Sequence, residues 1–292
     1  SPHVTGWRER IALDGDIITP GALAHAAERV QAAVPDVPEG RITQFEALTA
    51  VAFDALSTAR PDAVVVEAGL GGRLDATNVL DADVVALTSV DLDHTELLGD
   101  TLAGIAAEKL AVARDGHRQV VVGALGAEAA DAVAGLLSER DLAAWRVGQE
   151  ITLETGNQGV VSITTPNGAT GAMDLPLHGD WQRGNLALAV GAAERVLGGP
   201  VDRDRVERAV REMQNPGRLQ VIPGSPVIVM DGAHNPAGAQ ALADALPEIL
   251  GEARPVAVVG MMADKDAAGI CDALAPVISA ARVTRASSGR AI

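Results

Sequence analysis

The sequence predicts an α/β fold built on a mostly parallel sheet, followed by a second, smaller α/β domain. The chain has 292 residues, which exceeds the usual size of one α/β domain. Hydrophobic residues make up 48% but aromatics only 2%, so the core is expected to form from many small side chains packed between helices and sheet. Short β-branched runs that end in Gly, Asp or Asn are repeatedly followed by helical patterns, which is typical of parallel βαβ units.

Strand and helix patterns alternate along the first part of the chain. The predicted strands are residues 63–67 (AVVVE), 84–90 (VVALTSV) and 120–122 (VVV), and the predicted helices are an Ala-rich one ending near Arg114, then 127–139, 185–197 and 202–213. Between residues 145 and 176, alternating side chains broken by Gly, Asn and Pro predict antiparallel hairpins. We therefore expect one parallel-sheet domain with a small β insertion.

A breaker at residues 215–217 predicts a domain boundary, which divides the chain into residues 1–217 and 218–292. A new βα pattern follows it, with a strand over 227–230, a polar loop over 231–236, a helix to about Leu250 and a strand over 256–260. The chain begins with Ser1 rather than Met and stops soon after a strand-like segment. We therefore expect a piece of a longer protein, with both domains incomplete.

The charge balance argues against nucleic acid as a partner. There are 23 Lys and Arg against 39 Asp and Glu, a formal net charge of -16, which would repel a phosphate backbone. Small anions can still bind where amides, single cations or Mg²⁺ set the local field. No apolar run approaches ~18 residues and no signal peptide is seen, so we expect a cytoplasmic protein outside the membrane. The single cysteine, Cys271, excludes an intramolecular disulfide and is expected in a helix core.

Polar residues directly after predicted strands are the first candidates for a site, because ligands collect beyond the carboxyl ends of parallel strands. Glu67, His94 and Asp231 occupy such positions. Three glycines soon after Glu67 would let the backbone approach a ligand, although a solvated glutamate on a turn is the alternative. Glu67 and His94 could share a hard cation such as Mg²⁺, while a capping or packing histidine is the other interpretation.

Lys109, the turn at Asp231 and His234, and the charged residues 264–266 can each be explained without a binding site. Lys109 lies in an apolar helical stretch, where a surface lysine with a packed stem is the first expectation. Asp231 and His234 flank a Gly turn before a predicted helix, which suits a nucleotide or phosphate contact as well as a mere cap. The charged residues 264–266 are interpreted as helix-start charges that complement the helix dipole.

Taken as a set, eight strings resemble the folylpolyglutamate synthase and dihydrofolate synthase branch of the Mur ligase superfamily. They occur in the order of that family and cover nearly the whole chain: SPHVTGWRERI from Ser1, TQFEALTAVAF from Thr43, EAGLGGRLDATNV from Glu67, TSVDLDHTELLGDTLAGIAAEKLAV from Thr88, DWQRGNLALA from Asp180, NPGRLQVI from Asn215, DGAHNPAGA from Asp231 and GMMADKDAAGI from Gly260. GLGGRLDATN and DHTELLGDT are the most specific. The resemblance implies a P-loop-type central ATPase domain and a Rossmann-like glutamate-ligase domain.

The resemblance also implies a reaction and its participants. An acyl phosphate would form from ATP and the carboxylate of a folate or dihydropteroate, and L-glutamate would attack it. By resemblance, Glu67, His94 and Ser1 hold Mg²⁺; His94 and a carbamylated Lys109 are catalytic; Asn185, Arg218, Asp231 and His234 surround ATP; and Thr43, Gln44, Phe45, Glu46, Leu74, Asp75 and Ala76 line the pteroate side. A monomer is expected.

The chain departs from the family pattern at three points. No GxxxxGK[ST] phosphate loop occurs in it, so we expect weak ATP binding by this polypeptide and activity in a longer parent. Arg8 and Gly184 stand where Asn and Asp are common in the family. Two alternatives stay open, which are another Mur-type ligase acting on a cell-wall nucleotide and a catalytically inert fragment of the folate ligase.

Overall fold

A computed structural model describes residues 6–34, 40–93, 95–116, 119–156, 160–176, 178–213 and 216–285. These residues form an α/β fold with parallel sheets, as the sequence predicts. The chain divides into two compact units, one made of residues 1–82 and 95–114 and the other of residues 83–94 and 115–292. The predicted domain boundary between residues 217 and 218 falls within the second unit and stays a prediction.

The first unit is mainly helical. Its elements are the hairpin strands β1 (Ala12–Leu13) and β2 (Asp16–Ile17) and the helices α1 (Pro20–Ala33), α2 (Gln44–Ala59), α3 (Thr95–Leu98) and α4 (Leu102–Leu110). Short 3-10 turns cover Trp7–Arg10 and Ala76–Val79. The hairpin region, α1 and α2 share one apolar core, whose buried members are Ile11, Ile18, Ala26, Val51 and Ala55.

Three threonines cap the longer helices of this unit, namely Thr19, Thr43 and Thr101. Each side-chain oxygen accepts a hydrogen bond from the backbone amide three residues later. These bonds satisfy amides that have no carbonyl partner in the first helical turn. Arg8 donates to the Ile18 carbonyl at 2.9 Å, so the residue that departs from the family pattern braces the hairpin.

The second unit contains a parallel sheet in the order β3 (Val85–Leu87), β4 (Val120–Val122) and β5 (Ala144–Arg146). Helix α5 (Ala127–Glu139) connects β4 to β5 at the predicted bounds. All three residues of β4 are buried, which explains the unbroken run of valines. A Cβ on Gly123 would lie 2.2 Å from the Thr88 carbonyl oxygen, so only glycine fits where the chain leaves β4.

The β insertion is antiparallel, which confirms the prediction from alternation. Its strands are β6 (Thr152–Thr155), β7 (Val160–Thr165), β8 (Gly168–Ala169) and β9 (Met173–Asp174), and the helices α6 (Asp180–Leu197) and α7 (Arg203–Glu212) follow. Strand β7 pairs with the other three. Residues of this sheet, of α6 and of β4 share one core. A Cβ on Gly191 would lie 2.4 Å from Ile151 Cδ1, so glycine lets α6 pack closely.

The last part of the chain is a second set of strands and helices. They are β10 (Gln220–Ile222), β11 (Ile228–Met230), α8 (Pro236–Leu250), β12 (Val256–Val259), α9 (Ala267–Leu274) and β13 (Ala280–Val283). Strands β10 and β11 are antiparallel, whereas β12 and β13 are parallel. Helix α9 packs closely against the start of α8. A Cβ on Gly269 would lie only 2.6 Å from Pro236 Cγ. None of the helices in the described ranges is long and apolar enough to cross a membrane.

Three predictions about local structure are wrong. Residues 63–67 form no strand, and Val65 is 99% exposed, because a β-branched run becomes a strand only where a neighbour supplies hydrogen-bond partners. The helix expected to end near Arg114 ends at Leu110, whose carbonyl accepts from the Ala113 amide in a tighter turn. Cys271 is exposed, because its neighbour Ile270 occupies the buried face of α9.

Candidate functional site

The glycine-rich loop after Glu67 is folded around the carboxylate of Asp75. Asp75 Oδ2 accepts hydrogen bonds from the amides of Gly69 and Leu70 at 2.8 and 2.9 Å. Asp75 Oδ1 accepts from the Thr77 amide and hydroxyl at 2.9 and 2.6 Å. The loop therefore closes on itself through one side chain.

Two opposing effects set the pKa of Asp75. Partial burial raises this pKa, while the bonds from the Thr77 hydroxyl and from the amides of Thr77, Leu70 and Gly69 lower it. The hydrogen bonds prevail, and the pKa lies below its ordinary value. The ionised carboxylate thus organises the loop, and its predicted contact with pteroate stays a prediction.

The same loop lies against the last turn of α4, where Lys109 is found. A Cβ on Gly72 would lie 2.6 Å from the Glu108 carbonyl oxygen and 2.8 Å from that of Lys109. The Arg73 amide donates to the Glu108 carbonyl at 3.2 Å, and the Arg73 guanidinium pairs with the Glu108 carboxylate. The structure thus brings the backbone of the half-buried Lys109 to the glycine loop. Carbamylation of its amine is untested and stays a prediction.

Residues 43–46, predicted to line the pteroate side, begin helix α2. The Thr43 amide and hydroxyl donate to Glu46 Oε2 at 2.7 and 2.8 Å, and these bonds, the amide bond first, lower the pKa of Glu46. The Phe45 ring lies on the glycine loop, since a Cβ on Gly69 would lie 2.6 Å from its Cζ. The two predicted pteroate segments are therefore adjacent in the structure.

The other predicted pteroate residues differ in exposure. Leu74 is 92% exposed beside the hydrogen-bonded Asp75, whereas Ala76 is half-buried in the 3-10 turn. Gln44 is exposed in the first turn of α2. Exposed side chains next to a fixed loop are available for contact with a ligand.

In the second unit, Asp231 organises the loop that leads into α8. Its Oδ2 accepts from the Leu219 amide and its Oδ1 from the Ala233 amide, each at 2.7 Å. Asn235 caps α8, because its Oδ1 accepts from the Gly238 amide at 2.7 Å. The N-terminus of a 15-residue helix therefore follows the end of β11, and its amides favour an anion there.

The guanidinium of Arg218 lies against the same loop. A Cβ on Gly232 would lie 2.8 Å from Arg218 Nη1. Because Asp231 binds the amide of Leu219, the backbone next to Arg218 is tied to this turn. A planar guanidinium beside a helix N-terminus suits phosphate oxygens. The structure thus brings together Arg218 and Asp231, two of the residues predicted to contact ATP.

Asp93 and Lys265 form a cluster with His234 that sequence reasoning misses. His234 Nε2 lies 3.8 Å from Asp93 Oδ2, and Lys265 Nζ lies 3.9 Å from Asp93 Oδ1. Asn235 Nδ2 donates to Asp93 Oδ2 at 3.4 Å. His234 Nδ1 lies 2.9 Å from the Gly232 carbonyl oxygen, which requires a proton on Nδ1. The available signal was that each of these residues lies soon after a predicted strand.

Four further predicted site residues are Ser1, Glu67, His94 and Asn185. Ser1 and His94 lie outside the described residues, while Glu67 and Asn185 are exposed. Within the described ranges, no three His, Cys, Asp or Glu side chains gather closely enough to hold a metal ion. Glu67 offers the hard carboxylate oxygen that suits Mg²⁺, but the complete ligand set stays a prediction.

Comparison with known proteins identifies the family. Residues 217–292 match the family model "Mur ligase, glutamate ligase domain". A dihydrofolate synthase/folylpolyglutamate synthase of Mycobacterium tuberculosis is 34% identical over 317 residues, covering 100% of this chain and 65% of that protein. The structure of M. tuberculosis folylpolyglutamate synthase complexed with ADP matches at TM-score 0.91 and 33% identity, covering 100% of this chain and 68% of that one. This chain belongs to the folylpolyglutamate synthase/dihydrofolate synthase family.

Another member of this family has a solved structure with two ligands. E. coli FolC in complex with DHPP and ADP matches at TM-score 0.90 and 30% identity, covering 100% of this chain and 68% of that one. The family resemblance carried by the eight strings is thereby confirmed. The chain spans less than two thirds of the first relative's length, at 65%.

Proposed function

We propose that the protein containing this chain is an ATP-dependent ligase that joins L-glutamate to the carboxylate of a folate or dihydropteroate through an acyl phosphate. The observation that carries this proposal is the Arg218 guanidinium held against the Gly232 turn at the start of α8, in a member of this family. The M. tuberculosis and E. coli relatives were solved with ADP, and the E. coli one also with DHPP. ATP and a pteroate compound are therefore the proposed ligands.

The chemistry explains why such a site needs positive charge. The substrate carboxylate attacks the γ-phosphorus of ATP, ADP leaves, and an acyl phosphate results. The glutamate amine then attacks the acyl carbon, phosphate leaves, and the new amide nitrogen loses a proton. Two anions must approach each other in the first step, so Arg218 and the amides of α8 would stabilise charge on the phosphate oxygens. Mg²⁺ would supply further neutralisation of that charge, and by the family resemblance Glu67, His94 and Ser1 would hold it.

The glycine loop of the first unit is the proposed place of pteroate binding. Phe45 packs on Gly69, and the exposed Leu74 extends from the same loop, so an aromatic and an aliphatic surface lie next to backbone that Asp75 holds in place. Flat aromatic ligands bind well to such surfaces. We further propose that the protein acts as a cytoplasmic monomer.

Substitution of Arg218 tests the proposal in the full reading frame that contains this chain. Conjugate formation is measured with ATP, Mg²⁺, L-glutamate and dihydropteroate or a reduced folate. Arg218→Ala should lower kcat/KM for ATP by about 10- to 100-fold, because a charge-assisted phosphate contact is lost. Arg203→Ala is the matched control, since Arg203 pairs with Glu207 on the exposed surface of α7 and should leave activity unchanged.

Two outcomes would contradict the proposal. If the wild type forms no glutamate conjugate but adds an amino acid to a cell-wall nucleotide, the protein belongs functionally to another Mur branch. If Arg218→Ala is as active as Arg203→Ala, then the loop before α8 is not the phosphate site. A titration of ATP and Mg²⁺ into the 292-residue chain tests the separate expectation that these residues alone bind nucleotide weakly.

A further inference from the structure

Three loops of the second unit meet at the carboxylate of Asp93. The first is Asp93's own loop after β3, the second is the His234–Asn235 loop after β11, and the third carries Lys265 after β12. The Asp93 oxygens lie 3.8 Å from His234 Nε2, 3.4 Å from Asn235 Nδ2 and 3.9 Å from Lys265 Nζ. One side chain thus contacts two loops that are distant in sequence.

The three loops share a place in the topology. Each follows a strand, and the crevice beyond strand ends is where α/β proteins bind ligands. Asn235 is the N-cap of α8, so its bond to Asp93 links the β3 loop directly to the helix start that faces the proposed phosphate site. Asp93 thereby contacts groups beyond its own loop.

The Lys265 ammonium is held between the carboxylates of Asp93 and Asp264. The Lys265 side chain is only 16% exposed, and a largely buried ammonium requires a counter-charge. Two carboxylates supply it, because Asp264 Oδ2 lies 3.6 Å and Asp93 Oδ1 3.9 Å from the Lys265 amine. Asp264 is a sequence neighbour of Lys265 and is 57% exposed, whereas Asp93 comes from a different loop and is 31% exposed. Of these two contacts, the one with Asp93 ties Lys265 to another part of the site.

We propose that Asp93 is a positioning residue for the ligase reaction. Its carboxylate holds the Lys265 ammonium and the N-terminus of α8 in the alignment that the transferred phosphoryl group requires. This role rests on the proposed function, because it assigns Asp93 to the same strand-end site. Asp93 acts through Asn235, His234 and Lys265, and it does not itself contact the reacting atoms.

Four proteins test the role in the full reading frame: the wild type, Asp93→Asn, Asp93→Glu and Asp264→Asn. Asp93→Asn keeps the size but loses the charge, and it should lower kcat by about tenfold or more while the KM for ATP changes by less than about threefold. Asp93→Glu keeps the negative charge and should restore kcat to within about threefold of wild type. Asp264→Asn removes the other carboxylate beside Lys265 and should keep wild-type kcat.

The kcat values and thermal midpoints of these variants distinguish a positioning role of Asp93 from charge balance at Lys265 and from an effect on folding. If Asp264→Asn loses as much activity as Asp93→Asn, then Lys265 needs only a nearby negative charge and the proposal fails. It also fails if Asp93→Asn keeps wild-type kcat, if Asp93→Glu restores nothing, or if Asp93→Asn lowers the thermal midpoint by more than about 5 °C. A wild type that forms no conjugate overturns the proposed function, and this role falls with it.

Discussion

The aspartate-centred loops of the first and second compact units hold their shapes through different kinds of contact. In the first unit, Asp75 accepts four hydrogen bonds of 2.6 to 2.9 Å from residues two to six positions away. In the second unit, Asp231 reaches an amide 12 positions away, and Asp93 reaches Asn235 142 positions away at 3.4 Å. The loop around Asp75 depends on its own sequence, whereas the loops around Asp231 and Asp93 depend on the assembly of separate strands.

Local contacts should therefore contribute mainly to stability, and long-range contacts mainly to the alignment of side chains. Short bonds between neighbouring residues fix a loop even when distant elements shift, so their loss should appear mainly as lost stability. Longer contacts between strand-end loops add little stability but set the relative placement of side chains. Substitutions that remove local contacts should therefore lower the free energy of unfolding more than substitutions that remove long-range ones.

Asp75→Ala should have the largest effect, about 3 kcal/mol of lost free energy of unfolding. The substitution leaves the amides of Gly69, Leu70 and Thr77 and the Thr77 hydroxyl without their acceptor. Urea unfolding followed by circular dichroism measures the loss. An unchanged midpoint would show that the loop is held by other contacts.

Asp75→Asn is the matched control, and the pH dependence of its free energy of unfolding tests the role of the charge. The folded pKa of Asp75 lies below its ordinary value, so the ionised form stabilises the fold above the unfolded pKa, and this stabilisation is lost as pH falls through the folded pKa. The difference between wild type and Asp75→Asn should be constant above about pH 5 and should shrink below about pH 4. A difference that persists at about pH 2 would assign the effect to shape rather than charge.

Gly72→Ala should have the next largest effect, about 2 kcal/mol of destabilisation. The new Cβ would lie 2.6 and 2.8 Å from the carbonyl oxygens of Glu108 and Lys109, and backbone cannot move aside as a side chain can. Gly135→Ala is the control, because nothing lies within 4 Å of a Cβ there and the residue is inside α5, so it should stabilise by about 0.5–1 kcal/mol. Thermal unfolding of both variants gives the comparison.

Glu248→Gln tests a long-range pair and should have the smallest effect, about 1 kcal/mol of destabilisation. Glu248 Oε1 accepts from Arg183 Nη2 at 2.8 Å across 65 positions, and its Oε2 accepts from the Gly179 amide at 2.9 Å. Glutamine keeps one acceptor, and Arg183 keeps the Asp180 carboxylate at 2.7 Å. If urea unfolding shows a larger loss than for Asp75→Ala, the ranking of local above long-range contacts is wrong.

Much of the fold could be predicted because its signals are local. The β-branched run of β4, the span of α5 and the alternation of the insertion all follow from the period of neighbouring side chains. The glycine loop was predicted for the same reason, since glycines and the nearby Asp75 are adjacent in sequence. Residues 63–67 show the limit, because their pattern is that of a strand but pairing depends on a partner elsewhere.

The sequence by itself determined the α/β class, most helices, the family and the strand-end residues from which a site was predicted. The tertiary structure alone decided which of these residues meet. It joined Arg218 to the Asp231 loop, laid Gly72 against the end of α4, and revealed Asp93 between His234 and Lys265. The physical reason is that local backbone preferences are encoded in neighbouring residues, whereas side-chain contacts over 142 positions exist only once the strands have assembled.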